Sequence, residues 1–248
     1  MPLSLHDASA VVDTHRDSIR AWQDRIRDPS LTLLLVLELC AIFVAVPLAA
    51  KGLPIARIVG KTLALAGLAI VVLLSYDRGA IVTILLGLAA VAASALFGAG
   101  WPPIERSVVD RGGEIITWSA LIWVVIHAVY APGRITSQRL QGAAVVYLSA
   151  ALLFASAYAL IWELSPDAFA NLQASPGGDL ETADLMYFSL TTLTTTGYGD
   201  ILPVDPFARS LANLESVLGL FYIGITITRL VTLELQDRRG DDRGDARD

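Results

Sequence analysis

Cysteine occurs once in 248 residues, as Cys40 inside an apolar run, so a disulfide within the chain is excluded. No Cys/His cluster, HExxH helix, Walker phosphate loop or GxSxG elbow occurs, so enzyme chemistry finds no support and no enzyme is expected. Charge is scarce as well: Asp, Glu, Lys and Arg together make up 17% of the chain, and the formal net charge is −6. A nucleic-acid partner is not expected, nor is an organic cofactor. No cleavable signal is apparent, because residues 1–28 are charged and lack an apolar h-region.

What fills the chain instead is hydrocarbon. Hydrophobic residues make up 54% of it and the mean hydropathy is +0.59. Six runs reach the ~17–25 residues that a helix needs to cross a bilayer core. They lie at 31–50, 57–76, 80–99, 115–131, 142–163 and 207–235. Between the last two lies a helical pattern at 184–195, too short to cross and therefore read as re-entrant. The predicted fold is an all-α membrane protein with six transmembrane helices and a re-entrant helix between the fifth and sixth. With both ends cytoplasmic, twelve arginines fall inside: Arg16, Arg20, Arg25, Arg27, Arg78, Arg134, Arg139, Arg229, Arg238, Arg239, Arg243 and Arg247. Only Lys51, Arg57, Lys61, Arg106, Arg111 and Arg209 fall outside, which favours that orientation in a cell membrane.

Residues 194–200 read Thr-Thr-Thr-Gly-Tyr-Gly-Asp, and the pattern extends through Asp184, Tyr187, Phe188, Ser189, Thr192 and Leu193 to Pro203. This stretch resembles the pore helix and selectivity filter of potassium channels, in which backbone carbonyls replace the hydration shell of the ion. A strand that turns successive carbonyls the same way needs positive φ angles, which Gly197 and Gly199 supply without a steric penalty. The resemblance implies K+ sites at Thr195, Thr196, Gly197, Tyr198 and Gly199, with a hydroxyl ring from Thr195 and the Tyr198 ring bracing from behind. Asp200, Tyr187, Thr191, Thr192 and Glu215 are the expected supports. Thr196 replaces the commoner Val or Ile, Tyr187-Phe188 replaces the frequent Trp pair, and Thr191 stands where some members carry Glu.

One filter loop per chain implies a homotetramer embedded in membrane lipid, because such a pore is built from loops around a closed axis. The last span resembles a pore-lining inner helix. Gly219 falls at the hinge position of the family, with close packing as the alternative. Ile223, Ile227 and Val231 recur every four residues as a candidate apolar gate. Glu215 inside that span is expected near Thr191 and Thr192, as a candidate proton sensor, with pairing to Arg209 as the alternative. Arg229 is expected to snorkel to the cytoplasmic interface. Glu38 in the first span calls for a core-facing partner that the sequence does not name.

Between Glu163 and Asp205 stand seven acids (Glu163, Asp167, Asp179, Glu181, Asp184, Asp200 and Asp205) and no Lys or Arg, predicting a negative outer mouth. The fourth span carries no Lys or Arg, so the voltage-sensor likeness of the four leading spans lacks its gating charge. His127 in that span reads as a core histidine. Residues 1–29 form an amphipathic cytoplasmic helix with Trp22 as a membrane anchor, 30–140 the four-helix peripheral domain, 141–235 the pore domain, and 236–248 a tail disordered in composition. The expected function is a potassium-selective channel that is not strongly voltage-gated. The alternatives are a subunit of a channel-derived potassium uptake transporter, or a non-conducting membrane sensor or scaffold.

Overall fold

The computed structural model describes residues 30–75, 78–130, 137–172 and 178–245. The amphipathic helix expected over 1–29 lies outside them. Six helices are long and apolar enough to span a bilayer. They are α1 (Ser30–Ala50), α2 (Pro54–Leu74), α3 (Arg78–Phe97), α4 (Pro103–Val129), α5 (Ser137–Leu164) and α7 (Pro206–Asp245). The shorter α6 covers Asp179–Leu193 and stands between α5 and α7, as the sequence predicts.

Local chemistry sets these boundaries. Pro47 lacks an N–H and crowds the preceding turn, and α1 opens there into a π-turn at Ala41–Ala45. The helix then stops at Gly52, whose φ of 81° admits no side chain comfortably and whose N–H returns to Ala49 O at 2.8 Å. Pro54, Pro103 and Pro206 each begin a helix, where their missing donor costs nothing. Asp205 Oδ1 accepts the N–H groups of Phe207 (2.8 Å) and Ala208 (3.2 Å), capping α7.

Two boundaries differ most from the sequence reading, while α5 and α6 each begin five residues earlier than expected. Helix α4 begins at Pro103, about three turns before the expected 115, and so carries Arg106 and Arg111. The stretch 105–114 is too polar to register as a span, yet its charges are paired along the helix and across to its neighbours. Helix α7 continues to Asp245, so the tail expected to be disordered from 236 is helical that far. An established helix extends by one hydrogen bond per residue, which outlasts a composition that could not nucleate one.

The core of the peripheral helices is aliphatic: Leu34, Val71, Ile84, Leu121, Val125 and Val145 are buried together. Helices α3 and α4 touch backbone to backbone. A methyl on Gly87 would lie 2.2 Å from Thr117 Oγ1 and 2.7 Å from Gly113 O. Helix α4 then runs along α5, so the four leading helices rest on the later ones of the same chain. A second core is aromatic. Tyr158, Phe169 and Phe188 meet edge to face with centroids 5.0–5.8 Å apart, where α5 approaches α6. The strand Phe169–Ala170 pairs antiparallel with Leu202–Pro203, tying the segment before α6 to the one after it. The 194–200 loop lies between these anchored ends.

Candidate functional site

The loop after α6 has a backbone unlike any other stretch of the described chain. Thr195, Gly197 and Gly199 have φ of 58°, 53° and 76°, while Thr196 and Tyr198 between them do not turn positive. Every second residue is therefore left-handed. Glycine accepts this without cost, whereas Thr195 is β-branched and is held there against its preference. The sequence pointed to positive φ at the two glycines and not at the threonine.

What holds the strain is the end of α6. The Thr191 carbonyl accepts the N–H groups of Thr196 (2.8 Å) and Gly197 (3.1 Å), and the Thr192 carbonyl accepts that of Thr195 (2.9 Å). Hydroxyls from the flanking helices add to this: Tyr147 of α5 donates to Leu193 O at 3.0 Å, and Ser216 of α7 donates a second hydrogen bond to Thr192 O at 3.2 Å. Thr194 and Thr196 share a hydroxyl contact of 2.9 Å. Thr191 and Thr192 thus meet the loop through backbone, not side chains.

The C-terminal half of the loop is braced by a phenol and a carboxylate. Tyr187 of α6 donates to Asp200 Oδ2 at 2.7 Å, and its ring stacks on Tyr198 with centroids 6.2 Å apart and planes 3° from parallel. The hydrogen bond holds the Asp200 carboxyl below the usual aspartate range and pushes the Tyr187 phenol up to about 12. Asn171, itself at φ 64°, donates to Asp200 O at 3.0 Å. Partial burial, then the neighbouring Asp200 charge, pushes the Asp184 carboxyl up.

The acidic outer mouth is smaller than the sequence implies. Glu163 and Glu181 do not face it as free charges: both pair with Arg111 of α4, at 2.9 and 3.1 Å, and Glu181 is fully buried. Asp205 is spent on capping α7. Sequence distance hid the cause, since Arg111 lies 52 residues before Glu163.

Glu215 is fully buried in α7, where Tyr158 donates to one carboxylate oxygen at 2.6 Å and Ser189 to the other at 2.5 Å. It joins α5, α6 and α7 behind the loop. The expectation placed it near Thr191 and Thr192 of α6; its hydrogen-bond donor on that helix is Ser189, while the adjacent Ser216 donates to Thr192 O. Pairing with Arg209 does not occur, because that guanidinium donates to Pro203 O at 2.9 Å. The missed donors had a signal: Tyr147, Ser149, Ser156 and Tyr158 are hydroxyls inside an otherwise apolar span. Glu38 finds its partner in that same set, accepting from Ser149 at 2.6 Å.

Farther along α7, Tyr222 donates to Ala143 O and Thr226 meets the Tyr130 hydroxyl, at 2.7 and 2.8 Å. These bonds turn one face toward the chain's own α4 and α5, leaving Ile223 and Ile227 exposed together on another. The side chain of Val231 lies outside the described ones. Arg229 does not simply snorkel: it donates to Tyr130 O at 2.8 Å and lies 4.7 Å over that ring. His127 is exposed and bonded to Trp123 O, not buried in the core as expected. Gly219 packs closely. A methyl there would stand 2.2 Å from Leu193 O, whereas one on Gly224 would meet nothing.

A family model described as "Ion channel" matches residues 144–235, the region that holds this loop and both flanking helices. The potassium channel protein kcv of Paramecium bursaria Chlorella virus 1 is 31% identical over 78 residues, 31% of this chain and 82% of that protein. The inward rectifier potassium channel Kirbac3.1 of Paramagnetospirillum magnetotacticum is 31% identical over 80 residues, 32% of this chain. The two pore potassium channel c of Oryza sativa subsp. japonica is 35% identical over 69 residues, 27% of this chain. The matches span 24% and 15% of the lengths of these last two relatives. No solved structure matches the chain. The chain belongs to the potassium-channel family.

Proposed function

We propose that the chain is the subunit of a K+-selective pore, a homotetramer in the cell membrane that passes K+ down its electrochemical gradient. The observation that carries this is the left-handed backbone at Thr195, Gly197 and Gly199, repeated at every second residue and braced from α5, α6 and α7. Such a strand offers consecutive carbonyls to a dehydrated cation, and K+ is the ion whose channels share this sequence. K+ would be bound at Thr195, Thr196, Gly197, Tyr198 and Gly199. Asp200, Tyr187, Thr191, Thr192 and Glu215 hold that backbone in shape.

Both termini are cytoplasmic in this reading, and the loop faces outward. Ile223 and Ile227 line the inner pore, with Val231 following in register. Gly219 serves close packing against α6, not bending. Opening depends only weakly on voltage: Arg111, one of two arginines in α4, is neutralised by acids, and no series of basic residues follows it toward the inner end. Purified protein in nanodiscs should be a fourfold tetramer, and in liposomes it should release K+ in a manner blocked by external barium. Monomers, or liposomes that hold their K+, would contradict the proposal.

A further inference from the structure

Among the described charges Arg111 stands out because one guanidinium meets three carboxylates. It pairs with Glu114 one turn on in α4 at 3.3 Å, with Glu163 at the end of α5 at 2.9 Å, and with Glu181 in the first turn of α6 at 3.1 Å. Ser156 of α5 donates to Glu114 at 2.9 Å and extends the network. Three helices are therefore joined at one point. The planar fork of arginine suits such a junction, and a lysine ammonium would not span it. Glu181 depends on it most, since a fully buried carboxylate without a cationic partner is costly.

Helix α6 is one unbroken α-helix of 15 residues, about 22 Å long. Arg111 grips its first turn. Its last turn supplies the Leu190, Thr191 and Thr192 carbonyls that hold residues 194–197. A shift at the entry end is transmitted to the loop, because nothing between them bends easily.

We propose that Arg111 is a positioning residue for the filter. It ties the entry end of α6 to the peripheral helices and thereby sets the backbone on which selection depends. This rests on the filter reading above. It also gives the leading helices a task other than voltage sensing: they supply one partly buried cation.

The test compares tetramers of wild type, Arg111→Gln, Arg111→Lys, Glu181→Gln and the control Arg106→Gln. Arg106 lies on the same helix but is half exposed and only 4.0 Å from Asp110. Two readouts are taken: the Na+/K+ permeability ratio in bilayers, and amide hydrogen exchange over residues 182–193. Arg111→Gln and Glu181→Gln should raise the ratio at least about fivefold, the lower end of ordinary site-to-site coupling. They should also speed exchange, with Arg111→Lys between them and wild type and Arg106→Gln unchanged. If Arg111→Gln fails to assemble, Glu181→Gln, which keeps the shape of the side chain, carries the comparison. Assembled variants with the wild-type ratio, or with wild-type exchange, would overturn the inference. If the wild type itself carries no K+, the proposed function falls, and exchange alone decides on Arg111: faster exchange in α6 supports the tie and unchanged exchange removes it.

Discussion

The four leading helices and the last three are both apolar along much of their length, yet different forces hold them together. Residues 30–130 pack through aliphatic side chains and through glycine-to-backbone contact between α3 and α4. Residues 137–245 add a set of hydroxyls, each aimed at a carbonyl or carboxylate around one loop: Tyr147, Tyr158, Tyr187, Ser189 and Ser216. In a bilayer, apolar packing tolerates small shifts, because lipid is as apolar as leucine. Directed hydrogen bonds do not, since each fixes a distance and an angle. The polar unit is therefore where ion geometry can be stored. Among the described residues, polar ties between the two include Arg111 with Glu163 and Glu181, Glu38 with Ser149, and Tyr130 with Arg229.

The largest effect expected from breaking this contrast is at the loop glycines. Gly197→Ala and Gly199→Ala each place a Cβ at positive φ, so K+ current should vanish or lose selectivity while the tetramer still assembles. Single-channel recording checks this. Next comes Gly219→Ala, whose methyl would collide with Leu193 O. It should destabilise the tetramer by ~1–3 kcal/mol, as overpacking does, whereas Gly224→Ala should be silent in the same thermal melt.

These glycines show what a sequence can and cannot carry. The motif at 194–200 made the loop legible because only glycine suits two of its backbone positions, and the six spans were legible because membrane helices are written in long apolar runs. Helix α4 was read too short for the opposite reason: Arg106, Asp110, Arg111 and Glu114 look like a loop until their partners are known. Two of the three Arg111 partners could not be foreseen, since they lie 52 and 70 residues away. Thr195 was named as a site residue, but its positive φ was not foreseen, because nothing local announces a β-branched residue in that conformation. It is imposed by Thr191, Thr192 and the helices behind them.

A smaller effect is expected behind the loop. Tyr158→Phe leaves one Glu215 oxygen without its donor in a buried site, and should cost ~1–3 kcal/mol in a thermal melt. Glu215→Gln should remove the pH dependence of open probability if this carboxylate is the proton sensor. An unchanged pH profile would remove that role without touching the filter.

The smallest effects belong to the outer rim. The Asp200 carboxyl is held low and the Tyr187 phenol high by the bond between them. That bond is intact at neutral pH, is lost on acidification only below the usual aspartate range, and is lost on alkalinisation as the phenol titrates near 12. Asp184, held high, is protonated before Asp200 as pH falls, so mild acid should trim inward K+ current first through Asp184. Asp184→Asn should abolish that early step, and Tyr187→Phe should shorten openings at every pH between those limits.

The central claim is that the left-handed alternation at 195–199 chooses K+ over Na+. The most direct test is the reversal potential of the wild-type tetramer with K+ on one side of a planar bilayer and Na+ on the other. The account predicts a potential displaced far from zero in the direction of K+ selectivity, collapsing in Gly197→Ala. A wild-type reversal potential near zero, or a displaced one that survives in Gly197→Ala, would contradict it.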